Sequence, residues 1–317
     1  MTPPTRKLWL AAPRGFCAGV DRAIDIVDMA LQVYGAPIYV RHEIVHNRHV
    51  VEDLRRKGAV FTDDLADVPA GAVVIFSAHG VSPAVRTEAR ERGLRALDAT
   101  CPLVTKVHLE ALKYAKQGYS IVLVGHRQHV EVIGTLGEAP DAIVLVQSAE
   151  DAERVSLPAE RPLAYLTQTT LSVDEAGEIV GVLRRRFPRI QGPAREDICY
   201  ATSNRQWAVK ELLRDIDLLL VIGSPNSSNS QRLVDVARAE GTAAHLIDDV
   251  TGIDESWLEG CETVGLTSGA SAPERLVADV CAWFADRGAE VCEQQPVHED
   301  VSFKLPVELR RAERAAA

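Results

Sequence analysis

Short runs of consecutive apolar residues alternate along this chain with stretches in which apolar residues recur every three or four positions. The runs Leu8–Ala12, Ile38–Val40, Val73–Phe76, Ile121–Val124, Leu163–Leu166, Leu218–Ile222 and Thr263–Leu266 are short and barely alternate. Runs of that kind read as strands buried on both faces, as in parallel sheets. Between them, Val20, Ala23, Ile24, Val27, Leu31 and Tyr34 mark one face of a helix that Gly35 stops. Further helices are predicted over Val50–Lys57, from about Pro83, from Pro102 (carrying Val104, Val107, Ala111, Leu112 and Ala115) to near Gly118, and over Val173–Phe187. Another carries Val209, Leu212 and Leu213 with Asn204 as its N-cap, and the next ends near Phe284. The charged, Pro-containing stretch Phe187–Asp197 reads as a linker, and Val301–Leu305 as a last strand before a charged tail.

The alternation repeats one plan three times: a Cys loop and two polar loops, each between a strand and a helix. It predicts an α/β fold of three pseudo-threefold-related units with mostly parallel sheets, spanning 1–100, 101–196 and 197–285, with the tail 286–317 packing on the first. Open parallel sheets bind ligands at the carboxyl ends of their strands, where all of these loops lie. One central pocket is the expected consequence.

Composition narrows the partners. The chain has 317 residues, 46% hydrophobic and 25% charged, an ordinary globular balance with room for two or three compact units. Its net charge of −10 disfavours general nucleic-acid binding, so an anionic ligand needs a local site. The first apolar run is too short for a signal segment and is cut by Pro13 and Arg14, and no run is long enough to span a bilayer. The expected place is the cytoplasm, with no membrane partner, where cysteines serve as thiols or metal ligands rather than disulfides.

Three cysteines recur at the same juncture, just before an amphipathic helix: Cys17 in Pro13-Arg14-Gly15-Phe16-Cys17-Ala18-Gly19-Val20-Asp21-Arg22, Cys101 in Asp98-Ala99-Thr100-Cys101-Pro102, and Cys199 in Asp197-Ile198-Cys199-Tyr200-Ala201-Thr202. They are either buried small hydrophobes or thiolates converging on one metal centre; no short C-x-x-C pair decides between these. The other loop tips carry His46, His79, His129, Ser227, Ser228, Asn229 and Ser271 and almost no Lys or Arg. Helix N-termini flanked by such groups bind oxyanions through free N–H groups and the helix dipole, although simple capping would explain any one of them. Neither a G-x-G-x-x-G nor a P-loop motif occurs, so a redox reaction here would draw electrons from elsewhere.

Taken together, Pro13–Arg22, Ser77-Ala78-His79-Gly80-Val81-Ser82, Asp98–Lys106, Thr167–Asp174, Asp197–Arg205, Asn226–Ser230 and Gly269-Ala270-Ser271-Ala272-Pro273 resemble the 4-hydroxy-3-methylbut-2-enyl diphosphate reductase family, over about Leu8–Arg310. The resemblance implies a trefoil of three α/β units around one 4Fe-4S cluster, ligated by Cys17, Cys101 and Cys199 with one iron left open. It implies substrate contacts from His46, His79, His129, Thr169, Ser227, Ser228, Asn229 and Ser271, chiefly around a diphosphate. Glu131 matches the family's proton-delivering carboxylate, with Thr169 and His129 in its relay. The implied reaction is reductive loss of an allylic hydroxyl to give isopentenyl and dimethylallyl diphosphates, the last step of the non-mevalonate isoprenoid pathway, fed by ferredoxin or flavodoxin. One departure is Val130, where the family pattern Gly-His-x-x-His-Pro-Glu has proline; a looser loop before Glu131 is the expectation. Two other classes would also use the three cysteines: a 4Fe-4S hydro-lyase acting on a small anionic substrate without external electrons, and a non-redox zinc protein. Cys281 shares a helical face with Val277 and Phe284 and reads as core, while Cys261 and Cys292 sit at element edges.

Overall fold

The computed structural model describes residues 5–158, 160–294, 297 and 299–316. In chain order the elements are β1 (Lys7–Leu10), α1 (Ala18–Tyr34), β2 (Ile38–Arg41), α2 (Arg48–Lys57), β3 (Ala59–Thr62), β4 (Val73–Phe76), α3 (Pro83–Glu91), β5 (Arg95–Asp98), α4 (Pro102–Lys116) and β6 (Ser120–Val124). There follow α5 (Val130–Glu138), β7 (Ile143–Val146), α6 (Ala149–Arg154), β8 (Leu163–Thr167), α7 (Val173–Arg186), α8 (Tyr200–Leu212), β9 (Leu218–Ile222), α9 (Ser228–Ala239) and β10 (Ala243–Ile247). The last are β11 (Thr263–Ser268), α10 (Glu274–Ala285), β12 (Glu290–Glu293) and α11 (Val307–Ala316). Among the described residues the strands form three sheets, β10-β9-β11-β1-β12, β3-β2-β4-β5 and β7-β6-β8, and every pairing is parallel. This is the α/β architecture that the apolar runs predict.

The chain forms two compact units. One comprises residues 1–17, 46–50 and 200–301 and holds the five-stranded sheet. Its strand β9, between β10 and β11, is buried at every position, so alternate residues feed two cores. Leu218, Leu220 and Ile222 pack with Leu266, Val277, Val280 and Phe284 on one face, while Leu219 and Val221 pack with Val209, Leu212 and Leu233 on the other. The other unit comprises residues 18–45, 51–199 and 302–317 and holds the remaining two sheets. There β6 divides in the same way, Ile121 and Leu123 facing Val107, Ala111 and Val132, Val122 and Val124 facing Ile179 and Leu183.

Several elements differ from the sequence reading. The strand at Leu8 lies in the sheet of β9, β10 and β11, between β11 and β12, and not with β2–β5. The strand that ends this sheet is Glu290–Glu293, and Val301–Leu305 forms none. An edge strand whose side chains are largely exposed leaves no apolar run to read, whereas Val-Ser-Phe-Lys-Leu alternates like a strand without a partner edge. The tail instead ends in α11, which packs on α1. Asn204 lies in the second turn of α8, which starts at Tyr200, and caps nothing. The buried stripe of α1 is Val20, Ala23, Ile26, Val27 and Ala30, turned away from the expected Ile24, Leu31 and Tyr34.

Candidate functional site

In the unit holding the two smaller sheets, five loops at strand carboxyl ends and helix starts join through hydrogen bonds and ring contacts. Cys101 occupies the N-cap of α4, with Pro102 following and its own N–H donated to Ala78 O at 2.9 Å. Next to Ala78, the ring of His79 accepts or donates at Nδ1 with Ser77 Oγ (3.1 Å) and meets the ring of His129 edge-on, centroids 5.9 Å apart. Gly80 turns the chain at φ +82°, and a Cβ there would come within 3.0 Å of His108, so this loop lies directly on that ring.

His129 caps α5, its Nδ1 accepting the Glu131 N–H at 3.3 Å; a neutral ring therefore carries its proton on Nε2. Glu131 is 2% exposed. Its Oε1 accepts the Thr169 N–H at 2.7 Å and its Oε2 the Thr169 hydroxyl at 2.8 Å. Burial pushes the carboxyl up to about 7 although both Thr169 bonds pull it down. Thr169 O in turn accepts the Cys199 N–H at 3.1 Å. Cys101, His79, His129, Glu131, Thr169 and Cys199 are thus one connected set.

In the unit with the five-stranded sheet, the Cys17 N–H is donated to Ala270 O (3.3 Å), and the adjacent Ser271 hydroxyl to His46 O (2.8 Å). Asn226 Nδ2 donates to His46 Nδ1 at 3.3 Å. Asn229 Oδ1 accepts the Ala270 N–H at 2.8 Å, while its Nδ2 donates to Thr202 Oγ1 at 3.4 Å. Ser227 caps α9, its Oγ accepting from both the N–H (3.3 Å) and the hydroxyl (3.0 Å) of Ser230, so the capping role expected of such a residue is real. Ser227, Ser228, Asn229 and Ser271 are all buried. Cys17, His46, Asn229 and Ser271 form the second connected set, joined to the first turn of α9.

All three motif cysteines are half-buried and stand immediately before a helix: Cys17 before α1, Cys101 before α4, Cys199 before α8. Each thus faces the positive end of a helix dipole, which favours thiolate over thiol. Thiolates are the donor set of iron–sulfur clusters, so the chemistry of these positions fits such a group. Among the described residues no group of three or more His, Cys, Asp and Glu side chains is placed to hold a single metal ion. Cys281 packs against the Val277–Phe284 core, as its helical position predicts.

Two buried ion pairs went unassigned at the level of sequence. Asp197 accepts from Lys106 Nζ (2.6 Å) and from the Thr167 N–H (2.9 Å), tying the Cys101 helix to the segment that ends in Cys199. Burial pushes Asp197 up to about 6, against the pull of Lys106 and Thr167. Glu138 binds His108 Nδ1 (2.9 Å) and Arg86 Nη1 (3.1 Å); burial raises its pKa, but His108 and Arg86 outweigh burial and hold it below the ordinary range. Asp197 and Lys106 stand inside the Cys motifs, but nothing in their spacing shows that they pair.

The LytB protein family profile matches residues 8–285. A relative from Bordetella bronchiseptica named 4-hydroxy-3-methylbut-2-enyl diphosphate reductase is 58% identical over 314 residues, covering 98% of this chain and 96% of that protein. One of the same name from Acidothermus cellulolyticus is 55% identical over 310 residues, covering 97% and 91%. Among solved structures, the E-1-hydroxy-2-methyl-but-2-enyl-4-diphosphate reductase from Plasmodium falciparum superposes with a TM-score of 0.96 at 40% identity, covering 99% of each chain. A second, described as the terminal enzyme of the non-mevalonate pathway, gives 0.62 at 30% identity over 89% of this chain and 100% of that one.

Proposed function

This chain belongs to the LytB protein family, and on that premise we propose that it reduces (E)-4-hydroxy-3-methylbut-2-enyl diphosphate with Glu131 as its proton donor. It is an iron–sulfur enzyme of the non-mevalonate pathway, and its reaction consumes two electrons and two protons to give isopentenyl or dimethylallyl diphosphate and water. Cys17, Cys101 and Cys199 would hold one 4Fe-4S cluster with an open iron, which when bound supplies the electrons and a Lewis acid for the allylic hydroxyl. The electrons come from an external carrier, ferredoxin or flavodoxin. No helix among the described residues is long and apolar enough to cross a membrane, in keeping with a cytoplasmic enzyme.

The chain's own residues divide the remaining work. The diphosphate is assigned to the start of α9 and its neighbours, where Ser227, Ser228, Asn229 and Ser271 supply short buried donors and the helix dipole favours an anion. The family resemblance would add His46, His79 and His129 as ring N–H donors without the fixed charge of Lys or Arg. Hydroxide leaves an allylic carbon slowly, so its oxygen needs a proton as the C–O bond breaks, and an allylic carbon needs another afterwards. The observation that carries the reading is Glu131: a carboxyl raised to about 7 by burial is still substantially protonated at neutral pH, and its protonation is linked to the Thr169 hydroxyl. His129, whose Nδ1 accepts the Glu131 N–H, stabilises the turn that presents it.

The test is an anaerobic assay with the diphosphate and a chemically reduced electron-carrying dye. Two electrons consumed per isoprenyl diphosphate released is the expected result. Loss of water without consumption of electrons would assign the chain to the hydro-lyase class, and a colourless, iron-free but active protein to the zinc class.

A further inference from the structure

Arg205 heads the largest fully buried side chains among the described residues, yet it belongs to neither set of contacts described above. It stands in the second turn of α8 and spends its guanidinium on the loop that ends in Cys17. Nε and Nη2 donate to Gly15 O at 3.1 and 2.7 Å, and Nη2 also reaches Phe16 O at 3.2 Å and Arg14 O at 3.4 Å. Nη1 donates to Ala201 O on its own helix and to Glu299 Oε1, both at 3.1 Å. Glu299, from the segment after β12, is held in turn by Asn204 Nδ2 at 3.0 Å.

Three successive carbonyls drawn to one cation define a backbone conformation. Their oxygens repel one another unless a cation lies among them, and Gly15 supplies the left-handed φ of +67° that the turn requires. With the carbonyls turned towards Arg205, the loop N–H groups are free for the other side: Gly15 N–H meets Ser268 O at 3.4 Å and Cys17 N–H meets Ala270 O at 3.3 Å. A buried ion pair stabilises a fold weakly at best, because desolvation consumes most of its attraction. A rigid planar fork does fix several acceptors at once, which a lysine cannot do. We propose that Arg205, locked by Glu299, is a positioning residue that sets the Cys17 loop for cluster ligation. The proposal rests on Cys17 being a ligand, and the test below separates the two.

The iron-loaded protein is challenged anaerobically with an iron chelator and iodoacetamide, and the carbamidomethyl label at each cysteine is followed by peptide mass spectrometry. In the unaltered protein all three ligands should be protected equally until iron leaves; rapid labelling of Cys17 there would remove its ligand role rather than that of Arg205. In Arg205→Lys, label at Cys17 should appear about tenfold sooner, the scale of one charge-assisted hydrogen bond lost, ahead of label at Cys101 and Cys199. Glu299→Gln should shift Cys17 in the same direction by less. Because Lys keeps the charge and removes the fork, Cys17 protected in Arg205→Lys as in the unaltered protein would overturn the positioning role. Label rising equally at all three cysteines in both variants would also overturn it, showing only general loosening. Arg205→Met is the more drastic variant, and Arg205→Lys and Glu299→Gln answer the question if it does not fold.

Discussion

Thr169 donates to both oxygens of Glu131, its N–H to Oε1 at 2.7 Å and its hydroxyl to Oε2 at 2.8 Å. The two bonds have different fates when the carboxyl takes a proton. The backbone N–H cannot turn, so Oε1 remains an acceptor and the proton is directed to Oε2. There the threonine hydroxyl must reverse, accepting from Oε2–H and pointing its own hydrogen elsewhere. One residue therefore orients the acid and, in the proposed mechanism, would also pass its proton on.

Activity should follow the protonated form of Glu131. With its carboxyl raised to about 7, kcat should be level at acid pH and decline as pH rises through that value. Glu131→Gln preserves shape and accepts one of the Thr169 bonds but delivers no proton, so turnover should fall by about 10²–10⁴-fold with iron content unchanged. Steady-state rates of both proteins across pH, on preparations matched for iron, test this; turnover within about twofold of the unaltered enzyme would remove Glu131 from the mechanism.

The same buried carboxyl makes a stability prediction of opposite sense to most acids. Its folded pKa lies above the unfolded one, so the folded state binds this proton more tightly. The resulting stability is fully present below the unfolded value of 4.5 and is lost as pH rises through about 7. At about pH 8 the loss amounts to roughly 3 kcal/mol. Glu131→Gln escapes it. Denaturant unfolding should find the variant gaining on the unaltered protein as pH is raised from about 5 to 8, and a constant difference between them would contradict the assignment.

Iron content separates the cysteines. Ser in place of Cys17, Cys101 or Cys199 should strip or badly weaken the cluster, because a serine oxygen is a poor substitute for thiolate at iron. Cys261→Ser, Cys281→Ser and Cys292→Ser should retain full iron, with Cys281→Ser costing some stability because it packs on the Val277–Phe284 core. Iron assayed per chain decides it: a cluster lost from Cys281→Ser and kept in Cys101→Ser would mean that the ligand set is wrong.

Much of this was legible from residue patterns, and the exceptions share a cause. Buried strands such as Leu218–Ile222 announce themselves because both faces are apolar, and Cys, His and Ser loops at strand ends stand out against them. The edge strand Glu290–Glu293 does not, since its stability comes from main-chain pairing with β1 and its side chains face water. Long-range polar contacts are equally silent. Glu299 reaching Arg205 and Lys106 reaching Asp197 join positions that no periodicity relates. Glu131 was legible as a family position, but its grip by Thr169 is a property of the folded backbone.

Substrate binding should weaken in both Asn229→Ala and His46→Ala, by about 1.5–3 kcal/mol where a donor to a charged group is lost. The two variants should differ in stability. Asn229 holds the Ala270 N–H and Thr202 from a buried position, so its loss also costs roughly 1 kcal/mol of folding. The His46 side chain meets Asn226 at 3.3 Å while its carbonyl anchors Ser271, a contact the alanine keeps. Binding of the diphosphate by calorimetry, beside thermal unfolding, distinguishes them; unchanged affinity in both would place the anion elsewhere.

Val130 was expected to loosen the approach to Glu131, since the family pattern has proline there, but the structure shows an ordered start to the helix. His129 caps α5 through the Glu131 N–H, and the Ile133 N–H closes the first turn onto His129 O at 3.0 Å. Val130 is the first helical residue, a position whose N–H has no acceptor inside the helix and whose φ a proline ring already matches. A proline there removes no helix bond and restricts only the unfolded chain. Val130→Pro should therefore stabilise the protein by about 0.4–1 kcal/mol and leave turnover and its pH dependence in place. Denaturant midpoints of the two proteins measure the first part, and kcat across pH the second. A destabilised variant would show that the Val130 N–H or side chain is held by something the helix geometry does not require. A stabilised variant with faster turnover would show that valine does leave the turn mobile, and that the proline's role is to aim the acid.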